Sequence, residues 1–216
     1  MFSTDVNKFQ EIEHSYWRYY NELEQEMLQT RRFVDFNKEN INSYSLEYLK
    51  LYQAVCGEID AFLKLLAKEL DPNFNTKKTN IQKCWFEVQN WYNTATIKTV
   101  SFCKEYDLEP WTGYVVTRAL SKNNRLNYSG PAPEWWKSYT DIKHARAVLG
   151  DDGNPNYTKA NLKNVSNAFA ALYVLEKNTM NELGDEKSKA EASLSWLFDK
   201  RFRSYMDGST LVAGNI

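Results

Sequence analysis

The segment Pro133–Arg146, PEWWKSYTDIKHAR, brings one of the chain's two histidines together with two lysines, a threonine, an aspartate and a tryptophan pair. Wound as an α-helix at about 100° per residue, it puts Trp135, Tyr139, Ile142 and Arg146 on one stripe. Lys137, Thr140, Asp141 and His144 fall on the opposite side. An imidazole beside a cation can act as general acid or base and stabilise a phosphoryl transition state. Asp141 or Thr140, one turn before His144, is within reach to orient a ring nitrogen. Four polar residues on one side also describe the water face of any amphipathic helix, so both readings stand.

Trp136 and Lys143 lie between the two faces, where the lysine stem can run along the indole. Trp135 heads the apolar stripe and is expected in the core, which leaves Trp136 as the surface candidate. Arg146 ends the aromatic stripe: it either snorkels from the last turn or is held inward against a carboxylate or carbonyl. Pro133 and Glu134 suit a sharp helix start. His14, among Glu11, Glu13 and aromatic residues, reads as a surface histidine.

Other chemistries lack their residues. The chain carries no Gly-rich phosphate loop, GxSxG elbow, HExxH pair or dinucleotide fingerprint. Asp152, Asn154, Asn156 and Thr158 alternate as a calcium loop begins. Tyr157 then stands where that loop needs glycine and Lys163 where it needs glutamate, so a turn capping the next helix is expected. Cys56, Cys84 and Cys103 are odd in number and widely spaced, which fits neither a disulfide framework nor a zinc site. No metal and no cofactor are expected.

A net charge of −1 argues against a globally basic nucleic-acid binder and leaves local basic patches. An aromatic content of 15% indicates a globular chain rather than a disordered one. The N-terminus lacks an apolar signal core, and the longest apolar run, Ala168–Leu175, is too short for a bilayer. A cytoplasmic protein without membrane contact is expected.

These residues must be positioned by helices. Phe9, Ile12, Tyr16, Tyr19, Leu23 and Met27 mark one helical face from about residue 5 to the early thirties. Leu46 through Leu70 forms the cleanest amphipathic run, opened by Ser43 or Ser45 and closed by Asp71-Pro72, and the two should pair antiparallel. Thr79 with Gln82 reads as a capping box for a third helix through Trp85, Val88 and Tyr92. β-Branched residues from Thr94 to Val116 predict extended structure or a small hairpin, and Ser121–Pro133 an exposed loop. After a turn at Gly150–Asn156, Leu162, Val165, Phe169, Leu172 and Leu175 form another helical face, flanked by Asn161, Asn164 and Asn167. A last helix, roughly Ser188–Tyr205, should bury Leu194, Leu197 and Phe198. The expected architecture is mainly α: a multi-helix bundle with a small β or irregular insertion around residues 94–120, one helical domain over 1–206 and a flexible tail over 207–216.

The pattern W-W-x-x-Y-x-x-I-K-H-x-R followed by A-N-L-x-N-V-x-N-A-x-A-A-L, about Trp135 to Leu175, resembles helical proteins of the HEPN class. That resemblance implies a helical bundle, metal-independent RNA cleavage in toxin–antitoxin, abortive-infection or phage-defence systems, and a homodimer whose active sites meet at the interface. The class motif sets an arginine a few residues before a histidine. Here His144 matches the histidine, while Lys137 holds the most distant permitted arginine position and Ser138 and Tyr139 hold the others. Lysine keeps the charge but loses the planar fork that grips phosphate bidentately.

Two expectations follow. One is an RNA-cleaving or degenerate RNA-binding protein with His144 as acid/base, Lys137 for phosphate charge, Asp141 or Asn161 to orient the ring, and Trp136, Lys143 and Arg146 as binding residues. The other is a noncatalytic helical module that docks an antitoxin or other protein partner through the tryptophan pair.

Overall fold

The computed structural model describes residues 2–121 and 123–198. Asp5 opens the first helix by accepting the Lys8 amide at 3.1 Å. Helix α1 (Val6–Ile12) then runs through a π-helical turn, Glu13–Trp17, directly into α2 (Arg18–Thr30). The wide turn re-phases the apolar stripe, so Phe9 and Ile12 before it and Trp17, Tyr20, Leu23 and Met27 after it are all buried.

Helix α3 (Leu46–Leu70) starts at Ser45, whose hydroxyl accepts the Tyr48 amide at 3.0 Å, and stops at Asp71 before Pro72. Lys50 pairs with Glu26 at 2.7 Å, and Lys8 pairs with Glu69. Opposite ends are thereby tied together, so α1–α2 and α3 run antiparallel as the spacing predicts. Helix α4 (Ile81–Thr94) departs from the Thr79–Gln82 capping box. Asn80 is the cap, accepting the Lys83 amide at 3.0 Å, and Gln82 instead donates to the Gly130 carbonyl at 3.1 Å.

The β-branched region folds as β1 (Val100–Phe102) antiparallel to β2 (Tyr106–Leu108), with Val100 opposite Leu108. A second hairpin pairs β3 (Thr117–Leu120) with β4 (Leu126–Ser129), Thr117 facing Ser129. The insertion therefore extends past residue 120, and the expected loop Ser121–Pro133 contains a strand. At Gly130 a Cβ would lie 2.3 Å from the Val115 carbonyl oxygen, so this close approach requires glycine.

Helix α5 (Glu134–Ala145) follows, then α6 (Leu162–Leu183), capped by Asn161. The loop between them is a turn in which Asp152 accepts the Asn154 amide at 3.0 Å. It does not cap α6, as the sequence had suggested. Helix α7 (Glu186–Glu191) is short, and residues 192–198 form a non-helical strap in place of the expected helix. The strap buries Leu197 and half-buries Leu194 and Phe198. The rest of that expected helix and the tail 207–216 lie outside the described residues.

The chain is mainly α with a small β insertion. One connected core runs from Phe9 to Leu197, and α6, buried along most of its length, is its centre. Two acids are buried in it. Glu24 accepts from Tyr20, Ser195 and the amides of Trp196 (2.7 Å) and Leu197 (3.2 Å), and so fastens the strap to α2. Trp17 and Asn21 add bonds to Ser193. Glu176, in the middle of α6, is 1% exposed, and among the described residues neither carboxylate oxygen has a hydrogen-bond partner. Among the described residues no helix is long and apolar enough to cross a membrane.

Candidate functional site

Helix α5 is held by its tryptophans. Trp135 donates its indole N–H to the Pro110 carbonyl at 2.8 Å, and Tyr52 of α3 donates to the Trp135 carbonyl. Trp85, stacked on Trp111 at 4.4 Å, begins an aromatic chain that passes edge-on to Trp135, then Trp136, then Tyr139. Trp135 is 3% exposed and Trp136 9%. Trp136 is thus a wall of the structure rather than a free surface ring. The packing that buries it also fixes the angle at which α5 faces α3.

Between these helices lies a cleft of about 690 Å³. Helix α3 contributes Gly57, Asp60 and Lys64. The entry to α4 contributes Thr79 to Gln82, and α5 contributes Trp136, Lys137, Tyr139, Thr140, Lys143 and His144. Lys137 and His144 are two helical turns apart and share the cleft, as their spacing predicts. Lys64 is neutralised by Asp60 at 2.5 Å. Among the described residues Lys137 and Lys143 have no ion-pair partner, so they give the cleft its positive charge. Lys143 lies over the Tyr139 ring at 5.7 Å, rather than along Trp136.

Other candidates stand elsewhere. Asp141 is ion-paired with Lys159 at 2.6 Å and does not line the cleft. The Thr140 hydroxyl donates to the Trp136 carbonyl at 3.0 Å. Both groups that were to orient the His144 ring are therefore engaged elsewhere, and the exposed ring has no protein hydrogen bond among the described residues. Asn161 accepts the Asn164 amide at 3.0 Å as the cap of α6, which removes it from the site. Arg146 is the exposed C-cap residue of α5, outside the cleft and not held inward. With Lys143 and His144 in the last turn, it complements the negative end of the helix dipole.

The residues that sequence reasoning missed are Gly57, Asp60, Lys64, Asn80 and Gln82, because they reach α5 only through tertiary packing. A glycine in the middle of the strongest amphipathic helix is the one signal that pointed to them. The three cysteines are all free and buried, and burial pushes each thiol pKa up, which keeps them unreactive. Compared with protein-family models, curated proteins and solved structures, the chain matches none.

Proposed function

We propose that this chain is a HEPN-like RNA-binding protein of a bacterial or phage defence or toxin-type system, acting in the cytoplasm, with the α3–α5 cleft as its RNA site. One observation carries the reading: a histidine and two lysines that have no ion-pair partner among the described residues line a cleft whose wall is aromatic. Unpaired cations attract a phosphate chain, and rings offer surfaces for unstacked bases. Binding fits this site better than cutting. Among the described residues no arginine lines the cleft, and the groups that would fix the His144 tautomer are bonded to other partners.

The test is fluorescence anisotropy with a 12-nucleotide single-stranded RNA across a salt series. Lys137→Ala combined with Lys143→Ala should weaken binding about tenfold and flatten the salt slope. Equal affinity and slope in the double variant would remove the RNA reading.

The interaction-module reading changes shape, because the tryptophan pair is buried. Its support moves to Phe33 (87% exposed) and Leu46 (82% exposed). Phe33 lines a small hollow together with Ser45 and Glu47, the neighbours of Leu46. A second copy of this chain is the occupant proposed for that surface. Light scattering should find a dimer for the wild type and a monomer for Phe33→Glu with Leu46→Glu; a monomeric wild type at high micromolar concentration would sink this reading.

A further inference from the structure

Gly57 stands within the long helix α3, is exposed, and lines the cleft opposite α5. Glycine inside a helix is less favourable than any ordinary residue except proline, so its presence calls for a reason. Packing does not supply one: a Cβ built there meets nothing within 4 Å. Backbone conformation does not either, since the residue is helical. What glycine leaves is bare backbone on the cleft floor, open to close approach by a ligand.

The surroundings define that ligand. Trp136 and Tyr139 form the wall, and Lys137 and Lys143 supply the charge. Asn80 uses its carbonyl oxygen to cap α4, and Gln82 uses its amide N–H₂ on Gly130. At the rim, a donor on Asn80 and an acceptor on Gln82 therefore have no partner among the described residues.

We infer that Gly57 is the floor of a subsite for one unstacked nucleobase. The base lies against the bare helix, its edge meets the Asn80 and Gln82 amides, and its phosphates lie on Lys137 and Lys143. The inference rests on the cleft being an RNA site and adds a substrate class, single-stranded RNA, because a duplex keeps its base faces stacked. Any side chain at position 57 would occupy the base's place.

The experiment measures anisotropy for the full chain with three probes: a 12-nucleotide single-stranded RNA, the same strand in a duplex, and a 12-unit abasic strand. The wild type should bind the single strand about tenfold more tightly than either other probe. Gly57→Leu should lower single-strand binding to the abasic level and leave abasic binding unchanged. Gly57→Ala should melt at or above the wild-type temperature, as expected if the fold itself does not need this glycine. A folded Gly57→Leu that binds the single strand like the wild type overturns the subsite but leaves the RNA reading intact. Equal wild-type binding of abasic and normal strands overturns it without any substitution. A wild type that binds none of the probes removes the RNA reading and the subsite together.

Discussion

Glu24→Ala should cost about 3–5 kcal/mol and lower the melting temperature by roughly 10–15 °C. Glu24 is fully buried, and its carboxylate gathers two hydroxyls and two backbone amides from α2 and the strap. Truncation removes the acceptor these four donors share, so the bonds that join the strap to α2 through this carboxylate are lost and what remains there is the Tyr20–Ser195 hydroxyl contact at 3.3 Å. The strap also delivers Leu197 to the core and accepts the Cys103 amide at 2.8 Å, so its release loosens the turn between β1 and β2. Limited proteolysis should show new cleavage within residues 192–198 before the helices are cut. A variant with unchanged melting and no new cleavage would mean that the strap is held without Glu24.

The opposite sign is expected for Glu176→Gln, a stabilisation of about 1–3 kcal/mol at neutral pH, equal to a rise of a few degrees in melting temperature. Burial, and then the nearby charge of Glu58, push the Glu176 carboxyl well above the ordinary value of 4.5. Tyr16, in the π turn, shares this environment, and its pKa is also raised, chiefly by burial. A carboxyl with a raised folded pKa is compatible with the fold when protonated. Its contribution is complete below about pH 4.5 and is lost as pH rises through the folded value. The gap between wild type and Glu176→Gln in urea midpoint should therefore be small in acid and widen towards neutrality. A gap independent of pH would show that Glu176 titrates as it does in the unfolded chain.

Legibility in the sequence followed the strength of local signals. Helix α3 is readable to within two residues of its cap, because Ser43 and Ser45 both precede its amphipathic stripe and Asp71-Pro72 closes it; the structure selects Ser45. The start of α4 was misplaced by one residue: Thr79 and Asn80 can both cap, and only the fold sends the Gln82 side chain across to Gly130. Strand β4 was missed because β3 and β4 are almost wholly exposed and lack the alternation that marks a half-buried strand. The turn between β1 and β2 places Cys103 and Lys104 at positive φ, where no glycine or asparagine announces it. Glu24 and Glu176 fall on buried faces that a polarity pattern reads as solvent.

At the site, the helix carrying His144 and Lys137 was visible, and so was their shared face. Helical geometry alone dictates which residues of one helix stand together. It does not say what stands opposite. Asp141 was drawn away by Lys159, from the short helical turn Asn156–Lys159, and Asn161 by the start of α6. The Lys159 contact depends on how the loop after α5 folds back, whereas the Asn161 cap is local and follows from an asparagine placed three residues before the Asn164 amide.

The central position of α6 sets an order on synthesis. The Asp5 amide donates to the Leu183 carbonyl at 2.8 Å, and α1, α2, α3 and α5 all pack on α6. During translation the earlier helices emerge with their greasy sides uncovered and wait for a helix that is made after all of them before they can close around it. Ribosomes that stall before residue 183 would release chains lacking part of their own centre, natural clients for chaperones and proteases rather than half-working molecules.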